Sequence, residues 1–350
     1  MAPTVLHLGW GFPPKITGGL DTALAELFEA FEARDSIDMH LALPEEFDPG
    51  NRENVHGIET GSGDLITRVN RMEESFVELA EDADIVHTND WFGYQPGASA
   101  QQAHDIPWVT TFHSLSIERN LDPPDLEVEA EQRIVDEADH LVTVSNVTRQ
   151  RIKEHHGGDA RVIYNGFPSV TPTGRDVKEE LDIDGEMLFF VGRHTHQKGL
   201  SYLLAAVERL SREDVTLVIG GTGHLTDQLR QFADALDIED QVEFVGYVPE
   251  EELADYYASA DLFVSPSLAE PFGITVVEAL SVGTRVVTTD CGAAEILPED
   301  CLIQVTPDSR EVARGIQEGL AMDGPLEYEE RTWSDVADDH EEFYLEILDD

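Results

Sequence analysis

Basic residues, and lysines above all, are scarce in this sequence. Lysine and arginine together number 22 against 72 aspartates and glutamates, and only four of the 22 are lysines. The formal net charge at pH 7 is −50. A nucleic-acid partner requires a basic face that neutralises phosphate, and an anionic membrane surface also attracts positive charge. The composition therefore argues against nucleic acid as a partner and against electrostatic docking on a membrane.

Cysteines and long apolar runs are also few. The two cysteines, Cys291 and Cys301, lie in or beside apolar stretches, and no His or Cys pair has zinc spacing. We expect both to be reduced thiols of a cytosolic protein. No run approaches the roughly 18 apolar residues of a membrane span, and the N-terminus lacks the basic segment and apolar core of a signal peptide. These absences predict a cytoplasmic location without an integral membrane segment.

The acidic residues are spread along the whole chain rather than gathered in a tail. At 41% hydrophobic residues, the 350-residue chain can fill two cores, so its acidity does not indicate disorder. Few lysines and solvated acidic surfaces favour a protein adapted to a cytoplasm of molar salt, in which charge repulsion is screened within about 3 Å. The alternative is an ordinary acidic protein.

Short β-branched runs alternate with helical patterns, which predicts parallel sheets covered by helices. In the first half, the predicted strands are residues 4–10, 39–44, 83–90, 107–113, 140–145 and 160–166. The predicted helices between them are the segment that begins at Gly18-Gly19 and residues 64–82, 125–138 and 146–156. Sheets of this kind bind ligands at the carboxyl ends of their strands.

A polar segment with two prolines, residues 167–185, separates this series from a second one over residues 187–290. We therefore predict a first domain at 1–168, a second at 169–328 and a C-terminal helix at 329–350. The predicted fold class is α/β, with two Rossmann-like doubly wound domains facing a central cleft.

The stretch FVGRHTHQKG, followed by a helix, is cationic and contains no acid. Arg193 and Lys198 flank a turn that ends in Gly199, where the next helix begins. Two cations beside a helix N-terminus form an anion site, and a diphosphate is the natural occupant. A surface loop with chance basic residues is the alternative, although basic pairs are rare in this chain.

The stretch SPSLAEPFGITVVEAL contains two glutamates eight positions apart. Glu270 precedes Pro271, which disfavours helix there, and Gly273 allows a close backbone approach before a helix starts near Ile274. The free N–H groups of that helix favour phosphate. Glu270 in the loop and Glu278 on the helix could accept hydrogen bonds from sugar hydroxyls, or act as a general acid and base.

The first half of the chain adds weaker signals. Gly18 and Gly19 open the first helix after the first strand, which makes a second backbone cradle. HTNDW (87–91) and TFH (111–113) end strands, so His113 is expected to point toward the ligand edge. GGTGHL (220–225) does not match the dinucleotide motif and reads as a tight turn.

Together these motifs resemble the retaining glycosyltransferases of the GT-B fold, family 4, and their glycogen and starch synthase relatives. The resemblance rests on EPFGITVVE, GRHTHQKG, the Gly18-Gly19 loop and HTNDW, and it extends to TWSDVADDHEEFYLEIL at the C-terminus. It implies a nucleotide diphosphate sugar donor, a carbohydrate or other hydroxyl acceptor, and no cofactor or metal. It also implies that the C-terminal helix packs on the first domain.

The resemblance also implies roles for individual residues. Arg193 and Lys198 would hold the donor diphosphate, Glu270 and His113 the donor sugar, and Glu278 the ribose. The implied catalytic residues are His113, Arg193, Lys198 and Glu270. The implied donor-binding residues are Gly18, Gly19, Gly192, Gly273, Ile274, Thr275 and Glu278. Asp90 matches the aspartate of the synthases' H-x-H-D-W and is an acceptor-side candidate.

Several departures leave the substrate open. Residue 89 is asparagine where the synthases have a second histidine, and Lys15 lies one position further from Gly18 than the synthase lysine does. A hexose donor with glucose favoured, and an α-glucan or small-sugar acceptor, is the leading hypothesis. A mannosyl- or glucosyltransferase of glycolipid or protein-glycan assembly is the alternative of the same class. A non-catalytic nucleotide-sugar binding protein and a pyridoxal-phosphate phosphorylase are the rivals of other classes.

Overall fold

The structure is a computed structural model, and it describes residues 2–15, 18–34, 36–168, 170–322 and 324–349. It has the strand and helix alternation that the sequence predicts. The strands are β1 Thr4–Leu8, β2 Asp38–Pro44, β3 Val55–Ile58, β4 Ile85–Asn89, β5 Trp108–Phe112, β6 His140–Thr143, β7 Arg161–Val162, β8 Glu186–Val191, β9 Val215–Gly220, β10 Val242–Gly246, β11 Leu262–Ser265, β12 Val286–Thr288 and β13 Leu302–Gln304.

Helices follow most of these strands and cover the sheets. They are α1 Gly19–Glu32, α2 Leu65–Leu79, α3 Tyr94–His104, α4 Ser116–Arg119, α5 Asp125–Glu137, α6 Asn146–His156, α7 Val177–Glu180, α8 Leu200–Leu210, α9 Thr226–Ala235, α10 Glu250–Ser259, α11 Ile274–Ser281, α12 Gly292–Ile296, α13 Ser309–Leu320 and α14 Trp333–Asp349. Single 3₁₀ turns lie at Glu45–Phe47, Ala80–Asp82, Trp91–Gly93, His196–Lys198 and Glu239–Gln241.

The chain divides into two compact units. The first consists of residues 1–117, 122–166 and 331–350, and the second of residues 118–121 and 167–330. The sequence predicts domain boundaries after residues 168 and 328, whereas the two compact units are divided after Gly166 and Glu330. The first residue of the predicted second domain, Ser169, lies outside the described residues.

The first unit is built on a seven-stranded parallel sheet in the order β3-β2-β1-β4-β5-β6-β7. Because chain order reverses between β1 and β4, the loops after these strands diverge and leave a crevice at their carboxyl ends. Helix α14 packs against α1 on this unit, where the Tyr344 and Phe31 rings lie 6.4 Å apart. Helix α14 thus fills part of the core of the first sheet.

The second unit repeats this design with a six-stranded parallel sheet in the order β10-β9-β8-β11-β12-β13. Its central strands β8, β9, β11 and β12 are largely apolar and buried on both faces, as expected for a parallel sheet between helix layers. Chain order reverses between β8 and β11. The loop after β8 carries the cationic stretch, and the loop and helix after β11 carry the two glutamates.

Helix α3 and strand β3 are elements of the first unit that were not predicted. Helix α3 contains Pro96 and Gly97, which are helix breakers in a sequence-based prediction. Pro96 lies in the first helical turn, where its missing N–H costs nothing, and a Cβ at Gly97 would overlap the Trp108 indole. Strand β3 is four residues long and contains Gly57, so its alternation of apolar and polar residues is too short to predict a strand. Both misses arise because tertiary packing overrides local preference.

None of the described helices combines the length and the apolar character that crossing a bilayer requires.

Candidate functional site

The cationic stretch begins where β8 ends, at the switch point of the second sheet. Arg193 is exposed, and its guanidinium has no hydrogen bond or ion pair among the described residues. Gly192, directly before it, donates its N–H to the Gly220 carbonyl at 3.3 Å and continues the ladder to β9. Most of the described arginines contact a carboxylate or carbonyl oxygen, so Arg193 is one of the few whose guanidinium is open to a ligand.

Lys198 lies in the turn that follows and reaches toward the second loop. The turn ends at Gly199, which has φ +65° and is the N-cap of α8. A Cβ at Gly199 would overlap the Pro266 carbonyl oxygen, so only glycine lets the two loops approach this closely. The glycine therefore brings Lys198 beside the loop after β11.

Glu270 is the partner of Lys198 in that loop. The Lys198 Nζ and Glu270 Oε2 atoms are 2.7 Å apart, with side-chain exposures of 18% and 10%. Ser267 is buried and donates its hydroxyl to the same Oε2 at 3.0 Å. The other oxygen, Oε1, has no hydrogen-bond partner among the described residues. The carboxylate is thus held by one oxygen and can accept hydrogen bonds through the other.

The backbone of this loop turns sharply into α11. Gly273 has φ +91° and is the N-cap of the helix. A Cβ there would lie 3.2 Å from Val276 and 3.4 Å from the Cys291 sulfur. The N–H groups of Gly273, Ile274 and Thr275 have no acceptor among the described residues, as is usual for a first helical turn. They are available to an anionic or hydroxyl ligand.

Glu278 lies one turn further along α11 and is partly exposed. Burial raises its pKa to about 6, although a hydrogen bond from the Tyr257 hydroxyl opposes this shift. The Tyr257 hydroxyl donates to Glu278 Oε2 at 2.6 Å, and the tyrosine is fully buried. The two glutamates thus occupy the predicted positions, one in the loop and one on the helix.

In the first unit, Gly18 and Gly19 begin α1 as predicted. Gly18 is the N-cap with φ 177°, an extended conformation open to any residue. No described atom lies within 4 Å of a Cβ built on Gly18. Neither backbone conformation nor packing within the described residues therefore requires glycine here, which leaves the approach of a ligand as a reason for it.

His113 directly follows β5 and is held by the end of β4. Its Nε2 lies 3.0 Å from Asn89 Oδ1. Its backbone N–H donates to Asp90 Oδ1 at 2.8 Å, and the N–H of Ser114 donates to the same oxygen at 3.2 Å. Asp90, the acceptor-side candidate, is buried and has φ 50°. Its carboxylate oxygen holds the His113 backbone.

A cluster of buried histidines lies behind His113. The His7 and His87 rings stack at 4.3 Å, and the Tyr344 hydroxyl of α14 lies 3.0 Å from His7 Nε2 and 2.7 Å from His87 Nδ1. Desolvation holds the pKa of both histidines well below the usual value. Burial likewise lowers the pKa of His340 on α14 to about 4. The histidines therefore contribute neutral hydrogen bonding at physiological pH.

Sequence reasoning missed Tyr257, Ser267 and Tyr344, and it treated Asn89 only as a departure from a motif. Each touches a predicted site residue or the histidines behind His113. Tyrosine and serine in apolar segments give no signal of their own, and the partners of Tyr257 and Tyr344 lie at least 21 positions away in the sequence. Among the described residues, no three His, Cys, Asp or Glu side chains come together so as to hold a metal ion. Both cysteines are free and buried.

Comparison with known proteins places the chain in a family. Residues 175–331 match the model of glycosyl transferases group 1, and residues 17–169 match that of glycosyltransferase family 4. An uncharacterised glycosyltransferase of Methanocaldococcus jannaschii is 30% identical over 94% of both chains. The D-inositol 3-phosphate glycosyltransferase of Mycolicibacterium smegmatis is 32% identical over 65% of this chain, which spans 57% of that protein. The glycogen synthase of Mycobacterium tuberculosis is 28% identical, over 82% of this chain and 78% of its own.

Solved structures of low sequence identity show the same fold. Sucrose-phosphate synthase from Thermosynechococcus elongatus superposes with a TM-score of 0.79 at 21% identity, covering 99% of both chains. Anabaena HepE, in a complex with UDP-glucose, has a TM-score of 0.71 at 22% identity and covers 99% of this chain and 97% of its own. The two parallel-sheet α/β units, the family models and the archaeal relative lead to one conclusion. The chain is a glycosyltransferase of family 4 with the GT-B fold.

Proposed function

We propose that this glycosyltransferase moves a hexose, with glucose favoured, from a nucleotide diphosphate sugar to a hydroxyl acceptor with retention of anomeric configuration. The observation that carries the proposal is the pair of cations, Arg193 and Lys198, at the switch point of the second sheet. In a chain with a formal charge of −50, an exposed arginine without a carboxylate partner needs a reason. A diphosphate supplies that reason, because an acid in its place would repel the ligand.

The two cations would stabilise the charge that develops on the diphosphate as the bond to the sugar breaks. Lys198 can serve in this way while it stays near Glu270, since an ammonium group has three donors. The N–H groups of Gly273, Ile274 and Thr275, at the positive end of α11, would add to the same effect. Charge stabilisation by these groups would replace a divalent cation, so we expect activity without a metal.

The hydroxyl groups of the donor would be bound by the carboxylates. Glu270 Oε1 is the oxygen left to accept hydroxyls of the sugar, while Oε2 is engaged by Lys198 and Ser267. Glu278 would accept the ribose hydroxyls. His113 of the first unit would bind the sugar, as the resemblance to family 4 implies, and Gly18 and Gly19 would approach the diphosphate.

The relatives support glucose and leave two kinds of acceptor. HepE was solved with UDP-glucose, and one relative is a glycogen synthase, which favours a glucosyl donor. The D-inositol 3-phosphate glycosyltransferases favour a small hydroxyl acceptor over a glucan. Asn89, in place of the synthases' second histidine, counts against glycogen synthase activity, so we place the small acceptor first.

The test is a donor panel with the purified protein in about molar KCl, the salt that its acidic surface calls for. UDP-glucose, ADP-glucose, GDP-mannose and UDP-N-acetylglucosamine are each incubated with D-inositol 3-phosphate, with glycogen and with no acceptor. Release of nucleotide diphosphate is recorded with EDTA present throughout. We expect release from one donor, unchanged by EDTA, and an α-linked product by NMR.

Other outcomes separate the alternatives. Loss of release in EDTA, restored by magnesium or manganese, would overturn metal independence. A β-linked product would overturn retention. Binding of one nucleotide by calorimetry in a folded protein, with no release from any donor and acceptor pair, would favour a non-catalytic nucleotide-sugar binding protein.

A further inference from the structure

The contact between Asn89 and His113 bears on the protonation of the His113 ring as well as on its position. Asn89 is the last residue of β4 and is 2% exposed. Its amide nitrogen donates to the Leu8 carbonyl of β1 at 2.9 Å, and its amide oxygen lies 3.0 Å from His113 Nε2. The Asn89 amide thus contacts the Leu8 carbonyl through its nitrogen and the His113 ring through its oxygen.

The direction of the Asn89 amide follows from chemistry. A backbone carbonyl can only accept a hydrogen bond, so the group facing Leu8 must be the donor, NH₂. Reversing the amide would set two oxygens against each other in a buried place and leave a donor facing the ring. Oδ1 therefore faces His113, and since an amide oxygen only accepts, Nε2 of the ring must be the donor.

A single proton remains to be assigned on the ring at neutral pH. Burial lowers the pKa of His113 to about 4. The titratable groups that face it are Asp21 on α1, which raises the pKa, and His7, His87 and His340 on β1, β4 and α14. The neutral ring then carries its proton on Nε2, and Nδ1 has a lone pair.

We propose that Asn89 is a positioning residue that holds His113 in the Nε2–H tautomer, so that Nδ1 is an obligate acceptor for a hydroxyl of the donor sugar. His113 Nδ1 has no hydrogen-bond partner among the described residues, and the residue is partly exposed. A hydroxyl group can donate to it, whereas a carboxylate or phosphate oxygen would meet a lone pair. The site would thereby select a neutral hydroxyl over an anion at this point.

Asp90 complements this role from the next position. Its carboxylate oxygen binds the N–H groups of His113 and Ser114 and so holds the backbone that carries the ring. Consecutive residues at the end of β4 thus control the side chain and the main chain of one histidine. The inference rests on the proposed function for the identity of the ligand, but the tautomer itself does not.

The first experiment uses no substrate. A long-range ¹H–¹⁵N spectrum of the ¹⁵N-labelled full-length protein at about pH 7.5 distinguishes protonated from unprotonated ring nitrogens. The signals of His113 are those missing in His113→Gln. We expect a protonated Nε2 and an unprotonated Nδ1. A protonated Nδ1, or shifts averaged between the two tautomers, would overturn the proposal.

The second experiment asks whether Asn89 is the cause. Asn89→Leu keeps the approximate volume and removes the acceptor, so we expect averaged tautomers and a fall of about tenfold in kcat/KM for the donor. Asn54→Leu is the matched control, because the Asn54 amide also donates to a backbone carbonyl, that of Met39 at 3.0 Å. It should retain kcat/KM within about twofold.

The outcomes keep the two proposals apart. An unchanged Nε2–H tautomer in Asn89→Leu would show that another group fixes the ring. Equal losses in Asn89→Leu and Asn54→Leu would make the effect one of stability. If the wild-type protein released no nucleotide from any donor, the proposed function would fail while the spectrum still tested the tautomer.

Discussion

The two sheets share one strand order around their switch points but carry different polar groups there. In the second unit, the loops after β8 and β11 carry Arg193, Lys198 and Glu270, with Glu278 on the helix that follows. In the first unit, β4 ends in the neutral Asn89 and is followed by the buried Asp90. The next strand, β5, is followed by the neutral His113, with buried histidines behind it. The topology decides where loops diverge, and the residues decide which ligand can be bound there.

Exposure accounts for much of this difference. The cations of the second unit lie at the surface or in a close ion pair, so their charge is solvated or compensated. His7 and His87 of the first unit are buried, and desolvation keeps them neutral by lowering their pKa. The charged end of the second unit, formed by Arg193, Lys198 and the two glutamates, suits a diphosphate sugar. The neutral end of the first unit, formed by Asn89, His113 and the Gly18-Gly19 backbone, suits hydroxyl groups.

Removing a cation from the charged end should have the largest effect. Lys198→Ala removes one cation of the proposed diphosphate site and leaves Glu270 without its ion-pair partner. We expect kcat/KM for the donor to fall by about a hundredfold or more, measured as nucleotide diphosphate release. Lys178→Ala is the matched control, since Lys178 pairs with Asp261 at 2.5 Å in the same unit. Equal turnover in the two variants would contradict the assignment of Lys198.

Glu278→Gln should weaken donor binding and stabilise the fold. The loss of a carboxylate acceptor for ribose should raise the donor KM by about tenfold, with a smaller effect for a 2′-deoxyribose donor. Burial raises the pKa of Glu278 from 4.5 to about 6, so the folded state binds this proton more tightly than the unfolded chain. Ionising Glu278 therefore costs stability at pH 8, on the order of 1–2 kcal/mol.

The sign of that effect gives a pH test. In the wild type, the loss of folding stability caused by ionising Glu278 is absent below about pH 4.5 and grows as the pH rises to about 6. Urea unfolding should therefore show Glu278→Gln to be more stable than wild type at pH 8, and the difference should close on acidification. A variant that is less stable at pH 8 would contradict the predicted cost of this carboxylate.

Gly18→Ala tests whether the neutral end also approaches the donor through its backbone. The conformation of Gly18 suits alanine and no described atom lies within 4 Å of the added Cβ, so only the exchange of a glycine N-cap for alanine should cost stability, about 1 kcal/mol. If the donor diphosphate lies against this glycine, its KM should rise by about fivefold. An unchanged KM in a folded variant would remove Gly18 from the site.

Much of the fold follows from sequence pattern, and the misses have physical causes. Strands such as β2 and β4 and helices such as α5 and α6 have the spacing of apolar residues typical of their type, so each was predicted within one or two residues of its observed bounds. Helix α3 was missed because Gly97 is required by its contact with Trp108, a residue on a later strand. Local preference cannot reveal a contact of that kind.

The candidate site likewise has residues that the sequence predicts and contacts that it does not. Arg193, Lys198 and Glu270 lie in loops that follow strands, and Glu278 lies on the helix after one of these loops, where function is expected from local sequence. The contacts that orient them join residues distant in the chain, such as Tyr257 and Glu278, which are 21 positions apart. Asn89 and His113 are 24 positions apart and meet only because β4 and β5 pair in parallel. Orientation, unlike residue type, depends on strand pairing.

The smallest expected effect concerns the group that orients Glu278. Tyr257→Phe removes the hydroxyl that donates to Glu278 Oε2 at 2.6 Å and opposes the rise in the pKa of this carboxyl. Without that hydroxyl the pKa should rise further, and more of Glu278 should be protonated at pH 7. We expect the donor KM at pH 7 to rise about threefold, and the pH at which KM changes to move upward.

Tyr256→Phe is the matched control for this change. Tyr256 is the preceding residue of α10, its ring stacks on Phe189 at 5.3 Å, and its hydroxyl has no hydrogen-bond partner among the described residues. Removing that hydroxyl should leave both KM and its pH dependence at wild-type values. If Tyr257→Phe behaved like Tyr256→Phe, Glu278 would be oriented by α11 alone. If only Tyr257→Phe shifted the pH dependence, the charged end would rely on a buried neutral group, as the first unit does at His113.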